Sequence, residues 1–136
     1  MKIFLYYIGK ARDAHANAMA EEYIKRSGRF ARCEMREIDP RRFDLWAKHA
    51  GAMKVLLDPA GRGLDSAGFT ALVEKAGRDL VFVIGGAEGL PEDWRGRADV
   101  LLGLTPLTLP HELARVVLAE QIYRALTRLR GHPYPR

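Results

Sequence analysis

Two stretches of this sequence carry residue types at spacings that could do chemistry. The first is Gly85-Gly86-Ala87-Glu88-Gly89, directly after the apolar run Asp79–Ile84. Adjacent glycines behind a strand let the backbone turn sharply and let a ligand approach it closely, although a plain tight connection would use them too. The run lacks the Gly-Lys-Ser/Thr of a phosphate cradle. It also lacks the G-x-G-x-x-G spacing and the later acidic residue of a dinucleotide fold. The second stretch is Glu120 and Arg124, spaced i,i+4 in an otherwise apolar segment. Exposed, such a pair is worth only a few tenths of a kcal/mol. Retained at a covered surface it is costly, so it would be there to act on something charged. His111 opens the same segment, at the helix end where the dipole disfavours its protonation.

Other nucleophiles and ligands fit poorly. His15, His49, His111, His132 and Cys33 have no metal-ligand spacing, so no metal is expected. Cys33 lies mid-strand and reads as core.

The elements that must position these residues alternate. Lys2–Ile8, Cys33–Ile38, Lys54–Leu57, Asp79–Ile84 and Asp99–Leu102 read as strands. Helices are expected over Asp13–Arg26, from Asp65 or Ser66 to about Arg78, over Pro91–Arg97 and from His111 to about Leu129, with a short polar helix or loop in Arg41–Ala50. Gly131 and Pro133 stop the last helix and begin a tail. The alternation predicts one α/β domain over residues 1–136 with a mainly parallel sheet and helices on both faces. Ligands then sit beyond the carboxyl ends of the strands, which singles out the loops Asp58–Gly63, Gly85–Leu90 and Gly103–Pro110.

The last helix is unusual. Ten of its sixteen residues between His111 and Leu126 are apolar and surround the axis. A surface helix needs one apolar stripe, so the pattern predicts burial on two sides, by the sheet and by a second subunit.

Composition excludes several classes. The 136 residues are 48% hydrophobic and 29% charged, as in an ordinary globular domain and unlike a disordered chain. A single cysteine cannot form an internal disulfide, which fits a reducing cytoplasm. The run Leu80–Ile84 falls far short of the roughly 18 apolar residues of a membrane span. The apolar start reads as a first strand, not a signal peptide. The net charge of +5 divides into +5 over residues 1–54, −3 over 55–110 and +3 over 111–136. Basic ends around an acidic middle suggest a polyanion partner, with something non-anionic bound centrally.

Taken together, Val83-Ile84-Gly85-Gly86-Ala87-Glu88-Gly89-Leu90, then Leu107-Thr108-Leu109-Pro110-His111, then Arg115, Ala119-Glu120-Gln121-Ile122-Tyr123-Arg124-Ala125 and the ending Gly131-His132-Pro133-Tyr134-Pro135-Arg136 resemble the ribosomal RNA large subunit methyltransferase H family, of the SPOUT superfamily. The match is close over residues 79–136 and consistent in element order before that. The resemblance implies a C-terminal trefoil knot and a homodimer through the C-terminal helix, with S-adenosylmethionine held in the knot. It also implies methylation of N3 of a pseudouridine in 23S rRNA within the assembled 70S ribosome. By the same resemblance Leu57, Gly86, Thr105, Pro106, Leu107, Thr108, Leu109 and Pro110 are the cofactor positions. A sulfonium cation without phosphates suits a lysine-free glycine loop in the acidic segment.

The reaction needs a ring nitrogen to lose its proton and align with the methyl donor. Arg124, positioned by Glu120, would stabilise the developing charge. His111 and Tyr134 would orient or deprotonate the base. His132 and Arg136 belong to a tail expected to order over RNA or cofactor. Two readings compete: a related knotted enzyme acting on transfer RNA, and a basic ribosome-associated factor without catalysis. The stretch Pro40–Lys54 is shorter than the usual family segment, and Pro135 stands where the family commonly has a basic residue or histidine.

Overall fold

The computed structural model describes residues 1–134. The chain order is β1 (Lys2–Ile8), α1 (Ala14–Ser27), β2 (Arg32–Ile38), α2 (Leu45–Lys48), β3 (Met53–Gly63), α3 (Ser66–Lys75), β4 (Leu80–Ile84), α4 (Glu92–Arg95), β5 (Val100–Gly103) and α5 (His111–Leu129). The strands form one parallel sheet in the order β2-β1-β4-β3-β5. β4, the most apolar strand, is buried at every position, as a central parallel strand covered on both faces should be.

Helices lie on both faces, as expected. α1, α3 and α5 cover one face over Ile3, Leu5, Val55, Leu80 and Phe82. The short α2 and α4 cover the other through Leu45 and Trp94, over Tyr6, Leu56, Val81 and Val83. Aspartates set two helix starts. Asp13 accepts from the amides of His15 and Ala16, and Asp65, rather than Ser66, accepts from Gly68. α3 ends at Lys75, short of the expected Arg78, because Gly77 takes a left-handed φ of 62°.

Two expectations are corrected. The first concerns α5. It lies between α1 and α3 above the sheet, so Leu118, Ala119, Ile122 and Ala125 are wholly buried within one chain. Its all-round apolar character therefore needs no second subunit. Leu113 alone among its large apolar residues is widely exposed, at 46%.

The second concerns Asp58–Gly63, read as a free loop. β3 in fact continues through it. Leu57 and Arg62 both register with Leu102 of β5, so four residues bulge out before the chain pairs again at Gly63–Gly103. Glycine makes this possible. A Cβ on Gly61 would stand 2.7 Å from the backbone of Leu101, and one on Gly103 would stand 2.9 Å from the carbonyl oxygen of Gly61.

The start of α5 is fastened to the start of α1. Glu112 Oε1 accepts from the amides of Arg12 (2.7 Å) and Asp13 (2.9 Å). Arg115, only 1% exposed, donates through Nη1 to Asn17 Oδ1 at 2.7 Å and lies 3.5 Å from Glu112. Its guanidinium sits 4.0 Å from the Tyr7 ring centroid. A buried cation is tolerable only with such partners, and removing one member of a buried network is strongly destabilising.

Arg115→Ala is expected to lower the unfolding free energy by about 3 kcal/mol, read from urea denaturation; a loss below about 1 kcal/mol would contradict the fastening role. The amides of Asp13 and Arg12 hold the Glu112 carboxyl below its ordinary value of 4.5. Stability owed to it is complete above that value and is lost as pH falls through the lowered one. A pH series on Glu112→Gln should therefore lack this part of the acid limb.

Candidate active site

The bulge in β3 and the loops that leave β4 and β5 converge at the carboxyl end of the sheet. Between them lies a cleft of about 320 Å³, within the range of small-ligand sites. Leu57, Gly86, Thr105, Pro106, Leu107, Thr108 and Leu109 line it, so seven of the eight expected cofactor positions meet there. Pro110 does not line it; it stands at the N-cap of α5 and ends the loop. The sequence reading missed Asp58, Pro59, Gly85, Ala87, Gly89 and Ala114 as lining residues. For all but Ala114, which lies in the first turn of α5, the signal was membership of the three stretches singled out beyond the strands, since no single side chain marks them.

Gly86 fixes the floor. A Cβ there would lie 2.7 Å from the carbonyl oxygen of Ile8, so the turn packs backbone on backbone against the end of β1. Gly89 returns its amide to the Gly86 carbonyl at 2.9 Å with φ of 79°. Thr105 Oγ1 accepts from the amide of Leu107 and shapes the opposite wall, leaving Leu107 74% exposed.

The electrostatics are selective. Among the described residues the lining holds no lysine or arginine, and its one carboxylate is Asp58. Asp58 Oδ2 stands 2.6 Å from Arg95 Nε, an ion pair close in distance but without a well-directed hydrogen bond from that N–H. A phosphate would find no matching cation here, whereas a neutral or cationic ligand would meet no repulsion.

A second cluster forms further along α5. Glu120 accepts from Arg124 Nη2 (2.7 Å), from Gln121 Nε2 (2.8 Å) and from the Tyr134 hydroxyl (2.9 Å). Arg124 lies 5.7 Å from the Tyr134 ring centroid, and that ring packs 4.5 Å from Tyr123. Burial first, then contacts with Tyr23 and Glu120, push the Tyr134 hydroxyl well above the usual phenol range. In this arrangement the Tyr134 hydroxyl is a hydrogen-bond donor to Glu120.

His132 serves the tail's own conformation. Its Nδ1 accepts from the Tyr134 amide, its amide donates to Thr127, and its ring packs edge-on to Phe30. Arg136 lies outside the described residues.

The four residues expected to act on the base thus fall into two groups. His111 lines the cleft, while Glu120, Arg124 and Tyr134 meet elsewhere. At about 1.5 Å rise per residue, Glu120 lies roughly 13 Å and Arg124 roughly 20 Å beyond His111 along the helix axis. Burial pushes the Cys33 thiol up to about 12, in keeping with its reading as core rather than nucleophile. No group of three or more potential metal ligands occurs among the described residues, and none of their helices is long and apolar enough to cross a membrane.

The comparisons agree with this geometry. The family model described as "Predicted SPOUT methyltransferase" matches residues 1–135, so the class is that of the SPOUT methyltransferases. The chain is 60% identical over 139 aligned residues to the ribosomal RNA large subunit methyltransferase H of Solibacter usitatus, covering 100% of both. It is 42% identical to that of Thermus thermophilus, covering 100% of this chain and 99% of the relative. The chain belongs to the ribosomal RNA large subunit methyltransferase H family. Among solved structures, the tRNA (m1G37) methyltransferase from Aquifex aeolicus shares the fold with TM-score 0.63 at 15% identity, over 100% of this chain and 75% of that one. The SpoU methyltransferase AviRb from Streptomyces viridochromogenes, solved in complex with AdoMet, does so with TM-score 0.53 at 14% identity, over 96% and 61%.

Gly86→Ala is expected to lower the urea midpoint, at a cost of about 1–3 kcal/mol, because only backbone could move aside. An unchanged midpoint would mean that the turn does not depend on this contact.

Proposed function

We propose that this chain is an S-adenosylmethionine-dependent methyltransferase acting in the cytoplasm on N3 of a pseudouridine in 23S rRNA of the assembled 70S ribosome. It works as a homodimer with a C-terminal trefoil knot around the cofactor. The observation that carries the reading is the chemistry of the cleft: glycine and apolar walls, one carboxylate and no lysine or arginine among the described lining residues. That donor set fits a sulfonium nucleoside and disfavours a nucleotide phosphate.

Leu57, Gly86 and the segment Thr105–Leu109 would hold the cofactor, with backbone groups reading the adenine and apolar side chains enclosing it. When bound, it supplies an electrophilic methyl group. Arg124 then offers a guanidinium to the negative charge that develops on the base as N3 loses its proton. Glu120 fixes that guanidinium, and the Tyr134 hydroxyl fixes Glu120 in turn. The Tyr134 hydroxyl is engaged as a hydrogen-bond donor to Glu120 and lies outside the cleft, which leaves His111 as the residue in the cleft to receive the proton from the base. His132 and Arg136 are proposed to meet the RNA.

The distance along α5 supports the dimer. One chain cannot bring Arg124 to its own cleft if both sit on one straight helix roughly 20 Å apart. A two-fold partner supplies Arg124 and the tail from the other chain. The exposed Leu113 on α5 is suited to that contact.

The test is transfer from labelled S-adenosylmethionine to 70S ribosomes, 50S subunits and transfer RNA. Transfer confined to 70S ribosomes is expected. Arg124→Ala should lower kcat by about 100-fold or more and leave cofactor affinity unchanged. Transfer to transfer RNA alone, or none despite cofactor binding, would overturn the reading.

A further inference from the structure

On the sheet face opposite α1, α3 and α5 there is a second hollow, of about 280 Å³, which shares no lining residue with the cofactor cleft. It is lined by Pro40, Arg41, Arg42, Phe43, Asp44, Trp46, Trp94 and Arg97. The only two tryptophans of the chain meet here, edge to face, with centroids 5.9 Å apart. The Arg97 guanidinium lies 4.4 Å from the Trp46 ring centroid. Phe43, at the rim, carries Arg36 at 5.3 Å and Lys48 at 5.5 Å.

Cations outnumber anions in the lining. Arg41, Arg42 and Arg97 face one carboxylate, Asp44, which already accepts from the amide of Ala47 as the cap of α2. Neighbouring Asp39 engages Arg41 through both oxygens and reaches Arg42 only at 4.0 Å. Arg41 and Arg42 nonetheless keep 86% and 88% of their side chains in solvent. The indole N–H of Trp46 is covered yet has no acceptor among the described residues, an uncompensated donor in the wall of the hollow. None of these groups is used by the cofactor cleft or by the Glu120 cluster.

Cations stacked on aromatic rings beside exposed arginines match the chemistry of unpaired RNA, whose bases stack on aromatic and guanidinium planes and whose phosphates take arginine forks. We propose that this hollow is a second RNA contact, which seats an unpaired nucleotide against Arg97 and Trp46 and its flanking phosphates on Arg41 and Arg42. The inference rests on the RNA-methyltransferase reading and adds a substrate-docking surface to it. An acidic protein surface would exploit the charges but not the stacked planes.

Because both tryptophans lie in this hollow, their emission reports on it directly. The wild-type chain is titrated with a labelled single-stranded RNA of about 10 nucleotides, and anisotropy and tryptophan emission are followed together. Binding should change the emission. Arg42→Glu and Arg97→Glu should each weaken binding at least about five-fold and lower the salt slope by about one, whereas Arg26→Glu on α1, of equal charge change, should not. On ribosomes the same two variants should raise KM and leave kcat and cofactor affinity as they are.

RNA binding without an emission change, or affinities of both variants within about two-fold of Arg26→Glu, would overturn the proposal. So would weaker binding to ribosomes with unchanged binding to RNA, which would make the partner a protein. Any of these three results with normal methyl transfer would leave the proposed function standing. A chain that binds no S-adenosylmethionine but keeps the emission response would sink the proposed function and support this surface.

Discussion

Close approach of backbone to backbone at the carboxyl end of the sheet is the constraint on which the rest depends. Gly86 rests on the carbonyl of Ile8, and Gly61 and Gly103 rest on one another and on Leu101. No side chain fits in these gaps. They draw the ends of β1, β3 and β5 and the turn after β4 together, so that the β3 bulge and two loops share one cleft. Such walls suit a flat, uncharged heterocycle, to which a glycine-rich turn would offer backbone amides and carbonyls.

The helix α5 transmits this arrangement to the rest of the molecule. Its first turn is fixed by Glu112 and the buried Arg115 to the start of α1, and its middle is packed between α1 and α3. One rigid rod therefore holds His111 at the cleft and Glu120 with Arg124 two to four turns away. Rigidity makes the separation meaningful, since a flexible segment could fold back and close it. The tail reinforces the second cluster through Tyr134, whose hydroxyl and ring both engage α5.

Much of this was legible in the sequence, for identifiable reasons. Strands rich in β-branched and aromatic residues, punctuated by glycine, were marked out by their own composition, β3 alone running well past its expected end, and the stretches after them located the cleft before any geometry was known. Four features were not legible. Pro59, Gly61 and Gly63 read as breakers, yet they form a bulge whose glycines serve to press two strands together. The apolar count on α5 measured how much surface had to be covered but not by what, and α1 and α3 were sufficient. The partners of Arg115 and Tyr134 lie 98 and 14 residues away, where no local pattern can reveal them. Trp46 and Trp94 likewise come together only because α2 and α4 share a face.

The most direct test of a site completed between subunits is complementation. Gly86→Ala chains, damaged at the cleft, and Arg124→Ala chains, damaged at the second cluster, are unfolded and refolded together, and methyl transfer to ribosomes is measured. Each variant alone should be inactive. If the cleft of one chain works with Arg124 of the other, the mixture should recover about a quarter of wild-type activity, from the one intact site in each hybrid dimer. A mixture as inactive as its components, with hybrid dimers present, would contradict the account.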